Sequence, residues 1–490
     1  MSYRRTLRSI ALASGCALVA LSTTAHADTL REALASAYNT NPTLEGARAG
    51  QRAADEEVPI NRAAALPSAT LTATHIEFVR QSANSFTAPV RNLGVNALVQ
   101  VPIYSGGAVK NGIRAAEERV NAGRADLRAT ESAIFSQTVA AYMDVLRTEA
   151  LAGLAANQVD VLRVNLEATS DRFEIGDLTR TDVAQSRSRL ALAEGDLQTA
   201  HSNLIGARET YLRLVGVAPK NLEAPPPLPN LPETVGMAVV TALDNNPDLI
   251  AAKERAEAAG FDTKVAGAGR KPTVGFFANG DYSDFYGTLG GPVAANFIQS
   301  ETTANAGIRV TIPLFQGGRP AAQQRQAGAR ESQALENVIL TERSVIEQTR
   351  AAYASWQASE AVIASSIVAV ESAEVGLEGV RAENSIGNRT IIDVLNAEQE
   401  LLQARAQLVT ARRNSYVAGF TLLAAMGRAE ARDLNLDTGG PLYDPVANYD
   451  RVRNNIWDWQ RDPKAEPNST RTVDIPAPDA SFGPQLEPDD

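Results

Sequence analysis

Residues 386–399 read IGNRTIIDVLNAEQ, and residues 175–187 read IGDLTRTDVAQSR. Each places Ile-Gly ahead of a threonine and an Asp-Val pair, and a long alanine- and leucine-rich run follows. The two phrases lie 386 − 175 = 211 residues apart. Self-similarity at a fixed interval is the mark of a duplicated unit.

The duplication extends in both directions. Val101-Pro102-Ile103-Tyr104-Ser105-Gly106-Gly107 recurs as Ile312-Pro313-Leu314-Phe315-Gln316-Gly317-Gly318, again 211 residues on. Tyr142 and Tyr353, Gly176 and Gly387, Asp182 and Asp393, and Gly216 and Gly427 keep that interval. Nearer the N-terminus, Asn41-Pro42 recurs as Asn246-Pro247 and Leu66-Pro67 as Lys271-Pro272, at 205. The change of offset places six extra residues between Pro272 and Pro313, which marks a surface loop.

Each copy has the same order of elements. A helical run (30–65, then 234–269) ends near a proline, and two alternating, strand-like segments follow: 69–79 and 93–104, then 273–283 and 305–315. After each Gly-Gly comes a very long helix (108–173 and 320–383), then the quoted turn, then a helix running to Gly216 or Gly427. The layout divides the chain into a leader (1–27), a first repeat (28–223), a Pro-rich linker APPPLPNLP (224–232), a second repeat (233–432) and a C-terminal segment (433–490). From about Asp462 that segment carries six prolines and few large apolar side chains, so it is expected to be largely a disordered tail. Residues 448–460, with Trp457 and Trp459, are a candidate cover for the outside of the helices near the linker.

The helix after each turn is written in heptads. Val183, Leu190, Leu197, Leu204 and Tyr211 are seven apart, as are Val394, Leu401, Leu408, Ser415 and Leu422. Small residues, mostly alanine, follow three positions behind, which predicts a coiled-coil seam with close helix approach. The long helix, at 1.5 Å per residue, spans roughly 100 Å. The shorter helices match that length only if two stack end to end. A plain coiled-coil stalk accounts for the heptads, though not for the strands or the duplication.

Composition removes most chemistry. Arg4, Arg5 and Arg8, the apolar run from Ile10 to Leu21 and the Ala25-His26-Ala27 site make a secretory signal. A lipoprotein reading at Ala13-Ser14-Gly15-Cys16 lacks the leucine expected three residues before the cysteine. Cleavage after Ala27 removes Cys16 and leaves only His75 and His201, so metal and thiol chemistry have almost no ligands. It also removes three positive charges, taking the formal net charge from −11 to −14, which argues against nucleic acid as a partner. No apolar run outside the leader approaches the ~20 residues of a membrane helix.

The strands therefore carry any membrane contact. Phe78, Phe86, Tyr104, Phe276, Phe277, Tyr282, Phe285, Tyr286, Phe297 and Phe315 cluster in the two β-rich segments, as interfacial aromatic belts do. Four strands per chain cannot close a barrel, and hydrocarbon does not tolerate open edges. Either the strands form a soluble patch or several chains complete one barrel. The aromatic belts favour the second.

With these features the chain resembles the TolC-like outer-membrane efflux proteins over about residues 28–432. The resemblance rests on the two-copy layout, the VPIYSGG and IPLFQGG junctions, the Asn41-Pro42 and Asn246-Pro247 openings and IGNRTIIDVLNAEQELLQARAQL. It implies an α+β, mostly α fold: a trimeric 12-stranded outer-membrane β-barrel, four strands per chain, continuous with a long α-helical coiled-coil barrel. It implies no enzymatic activity, no cofactor and no metal. It implies a homotrimer set in outer-membrane lipid, reaching into the periplasm, engaged by a periplasmic adaptor and an inner-membrane transporter of RND, ABC or MFS type. The cargo would be drugs, small molecules or secreted proteins.

By the same resemblance the turns at Gly176 and Gly387 form the periplasmic tip, Asp393 lines the constriction, and Asn396 stands where a second acidic ring is usual. A latch would join Arg389 to Thr181 and Asp182, with Asn384 in place of a tyrosine that often takes part. The local reading of the same residues is helix capping: Thr179 and Thr390 suit N-caps, with Asp182 and Asp393 three residues on. Capping and gating can coexist.

Overall fold

The computed structural model describes residues 28–81, 88–439 and 441–481. The leader with Cys16, and Phe86, lie outside the described residues. In each copy, the helical run that opens it is broken rather than continuous. In copy one it is α1 (Leu30–Thr40), α2 (Pro42–Asp55) and α3 (Glu57–Ala63); in copy two it is α6 (Val235–Asn245) and α7 (Pro247–Ala268). The cause of the first break is Asn-Pro. Asn41 and Asn246 take extended backbone and their side chains cap the helix that Pro42 or Pro247 starts.

Those asparagines also join helices. Asn41 Nδ2 donates to the Leu214 carbonyl at 3.0 Å, and Asn246 Nδ2 donates to the Ala425 carbonyl at 3.0 Å. Leu214 and Ala425 lie at the C-terminal ends of α5 (Arg180–Val215) and α9 (Ile391–Ala425). Each asparagine thus satisfies orphan groups of two helices at once, one at its N-terminus and one at its C-terminus. So α5 abuts α2, and α9 abuts α7, end to end. Together they run beside α4 (Ala108–Glu174) and α8 (Arg319–Ser385), each 67 residues long, or about 100 Å.

The four strands make one antiparallel sheet in the order β1 (Ser68–Glu77), β2 (Arg91–Tyr104), β3 (Thr273–Asp284), β4 (Ser300–Thr311). The sheet joins the two copies through β2 and β3, paired from Leu93–Asp284 to Tyr104–Val274 across a bulge at Pro102. Strand β4 ends at Thr311, short of the expected Phe315, because its partner among the described residues, β3, begins at Thr273 opposite it. Leu314 and Phe315 consequently stand 92 % and 89 % exposed.

The main core lies between the sheet and the tips. Phe135, Tyr142, Tyr211, Phe420 and Leu422 are its largest fully buried members. The repeated tyrosines pin the linker on both sides: Tyr142 Oη donates to the Asp28 and Glu223 carbonyls, Tyr353 Oη to the Glu233 carbonyl. Farther along, Val159, Leu162, Ala193 and Leu395 form a second cluster where α4, α5 and α9 meet. Residues 433–481 follow the first copy. They include α10 (Pro445–Val452), an Asn448–Asp55 hydrogen bond and an Arg208–Asp479 ion pair.

Candidate functional site

Helices α4 and α5, and α8 and α9, are two hairpins whose turns lie at the end of the chain remote from the sheet. Gly176 and Gly387 adopt φ of 86° and 81°. Nothing would crowd a Cβ at either position, so the left-handed backbone alone calls for glycine. In both turns the glycine N–H bonds the carbonyl three residues back. The next N–H reaches five back, to Arg172 or Glu383, completing a Schellman motif.

The following helix starts identically in each hairpin. Asp182 Oδ2 accepts from the Thr179 N–H at 2.9 Å and its hydroxyl at 2.7 Å; Asp393 Oδ2 does the same with Thr390 at 3.0 and 2.7 Å. Both aspartates are therefore caps. The Thr390 hydroxyl, then its N–H, then the nearby Arg389 charge hold the Asp393 carboxyl below its usual range.

Charge separates the turns. In the first, Arg172 at the helix end clips Asp177 beyond the turn, Nε to Oδ2 at 2.8 Å. In the second, Glu383 at the helix end clips Arg389, Nε to Oε2 at 2.7 Å, with the Asn384 side chain donating to the Arg389 carbonyl. Arg389 is thus taken by a local acid: among the described residues no hydrogen bond or ion pair joins it to Asp182 or Thr181 within the chain. Thr181 is exposed. The Glu383 hydrogen bond and charge raise the Arg389 pKa, so it stays a cation.

Near the tips two polar contacts tie the hairpins together, beyond the Arg413–Asp144 ion pair nearer the core, and neither was visible in the motifs. Glu398 on α9 has a side chain only 3 % exposed. It accepts from Asn165 Nδ2 on α4 at 2.9 and 3.0 Å and from Arg381 Nη2 on α8 at 3.0 Å. Asn396, expected at the constriction, accepts from Arg189 Nη2 on α5 at 2.9 Å. Sequence reasoning missed Glu398 because it sits beside the heptad seam, where charged residues normally face water. Its copy-one counterpart, Arg187, does face water. The available signal was its place four residues after Val394 and three after Leu395, both buried.

The family model described as outer membrane efflux protein matches residues 33–217 and 238–428, most of both repeats. The chain belongs to that family. This outer membrane efflux protein is 30 % identical over 426 residues to the outer membrane efflux protein BepC of Brucella suis, covering 87 % of this chain and 91 % of BepC. It is 26 % identical to the outer membrane protein TolC of Escherichia coli, over 88 % and 89 % of the two chains. The fold matches the solved outer membrane protein VceC of Vibrio cholerae with a TM-score of 0.69 at 24 % identity, over 81 % of this chain and 96 % of that one. The outer membrane efflux protein is an export channel of the outer membrane and not an enzyme. Among the described residues no helix is long and apolar enough to cross a membrane.

Proposed function

We propose that three copies close their sheets into one 12-stranded barrel and that the helices of the trimer form a duct across the periplasm. The observation that carries this reading is the sheet itself: β1 and β4 are unpaired edges of a four-stranded antiparallel sheet. With an even number of strands, β4 of one copy meets β1 of the next antiparallel, so the closed ring has no free edge. The duct is passive, docks a periplasmic adaptor and an inner-membrane transporter of the RND, ABC or MFS type, sits in outer-membrane lipid, and passes drugs, small molecules or proteins. Heat-sensitive migration as a trimer from an outer-membrane fraction is the expected result. A soluble monomer overturns the reading.

The paired turns are the inner mouth. Three copies of Asp393 form a carboxylate ring that favours cations, and Asn396 makes the next layer neutral. Arg389 is the latch, and its partners Thr181 and Asp182 belong to the adjacent copy. Two facts support that assignment: Arg389 is half exposed beside its Glu383 clip, and among the described residues no hydrogen bond or ion pair joins it to Asp182.

A further inference from the structure

The segment after α10 makes a loop with a fixed base and an unpaired apex. Arg451 and Asp462 close its base as a two-pronged ion pair, Nη1–Oδ1 2.8 Å and Nη2–Oδ2 2.9 Å. Arg62 holds the near strand of the loop, donating to the Arg453 carbonyl at 3.1 Å and bonding the Asn454 side chain. Two short-range bonds set its shape: the Asn455 N–H to the Val452 carbonyl and the Gln460 N–H to the Trp457 carbonyl. Among the described residues little covers the apolar side chains at its apex. Ile456 is 57 % exposed, Trp457 74 % and Trp459 89 %. A pinned loop that exposes two tryptophans is presenting them to something.

The loop's height on the molecule says what that is. Tyr449, just before the loop, packs on the cluster that Val58 of α3 forms with Ala116 and Val120 of α4, and the Arg124 guanidinium lies over its ring. Ala116 is the ninth residue of α4, about 12 Å along the helix from its start under the sheet. From there the chain advances to Arg62, one helical turn nearer the sheet and in the last turn of α3; β1 begins at Ser68. The ten residues of β1, tilted as barrel strands are, rise about 25 Å, the height of the apolar band of an outer-membrane barrel. The foot of the sheet therefore lies at the periplasmic interface, where Tyr104, Leu314 and Phe315 are exposed. The base of the loop, held by Arg62, lies about one helical turn below the start of α4, because the neighbouring Asn61 side chain reaches Gly112, the fifth residue of that helix. Trp457 and Trp459 alternate with Asp458, and Arg461 and Lys464 follow. Such a mixture of indole and charge suits the headgroup boundary and neither water nor hydrocarbon alone.

We propose that the loop 453–461 is a membrane-interface anchor, with Ile456, Trp457 and Trp459 seated in the headgroup boundary of the periplasmic leaflet beside the foot of the barrel. The anchor rests on the sheet being the membrane-spanning part. It fixes the height and tilt of the duct against the load of whatever docks at its far end, and three copies make a ring of six indoles.

The test uses the purified full-length protein in liposomes containing phospholipid brominated at shallow or deep acyl positions, reading tryptophan fluorescence. The chain has three tryptophans, and the third, Trp356, meets Tyr353 edge-on against the main core. Shallow bromines are expected to quench more than half of the emission and deep bromines less. The W457S/W459S variant should lose the quenchable fraction, and W356F should keep it. Solute passage through the same liposomes checks the channel reading separately. In conducting liposomes, emission that bromolipid leaves untouched overturns the anchor. Acrylamide quenching would then place the loop in water, and protection from both quenchers would place it under a neighbouring copy.

Discussion

The two tip hairpins share a backbone and differ in charge. Both use a left-handed glycine, a Schellman closure and a Thr-x-x-Asp cap, so each turn is specified twice by the same local physics. The salt clip, however, is reversed. Hairpin one places Arg172 at the C-terminal end of α4, where a cation complements the helix dipole; hairpin two places Glu383 at the equivalent end of α8, where an anion opposes it. Only hairpin two carries a buried carboxylate, Glu398, reaching across to the other hairpin. Duplication kept the geometry and let the electrostatics diverge, and it is on this divergence that the proposed gating role of the second hairpin rests.

The sharpest way to break this comparison is a matched pair of substitutions 211 residues apart. Glu398→Ala strands the Asn165 and Arg381 donors and costs roughly 2 kcal/mol of hairpin docking. Bilayer recordings are expected to show a several-fold rise in single-channel conductance, with the trimer intact on a gel. Arg187→Ala, its counterpart on the exposed face, is expected to change nothing. Equal effects of the two would erase the distinction.

A second pair tests what the hairpins share. Gly176→Ala and Gly387→Ala each force a Cβ into left-handed backbone and are expected to cost about 1–2 kcal/mol apiece. Hydrogen exchange of the tip amides should accelerate to a similar degree in both. A large asymmetry would mean that the turns are not equivalent even in backbone.

Smaller still is the effect of charge at the mouth. Asn396→Asp would give Arg189 an ionic partner and add an acidic layer behind Asp393. Cation preference in reversal-potential measurements is expected to rise about two-fold, by analogy with other carboxylate rings. The pH dependence follows from the lowered Asp393 pKa. The folded carboxyl titrates below its unfolded value, so its cap and its charge are present above the ordinary carboxylate range and vanish only as pH falls through the depressed value. Cation preference should therefore survive mild acidification.

The least effect is expected from Arg172→Ala. Its clip to Asp177 is exposed, and such pairs contribute about 0–1 kcal/mol. Conductance should not move.

Much of the architecture was legible because it is written in periodicity. The 211-residue repeat, the heptads and the strand alternation each report a burial pattern, and the long helices and sheet follow from them. The end-to-end joins at Asn41 and Asn246 were foreshadowed by helix length, while the amide that performs each join depends on three-dimensional proximity to Leu214 or Ala425. The end of β4 was misread because a strand stops where its partner does, which alternation alone does not encode. At the site, the glycines and caps are local and were readable. The partner of Arg389 was sought 207 residues away, whereas within the chain Glu383, six residues back, holds it. Glu398 was passed over because a charge beside a heptad seam usually faces solvent.

The central claim is that hairpin two is the gate and that Arg389 latches it to hairpin one of the adjacent copy. A conductance cycle in planar bilayers tests this most directly, using Arg389→Ala, Asp182→Asn and the double variant. The account predicts that each single change raises conductance and that the double variant conducts no more than the larger single effect, because both break one bond. Unchanged conductance for Arg389→Ala, or effects that multiply in the double variant, would contradict it.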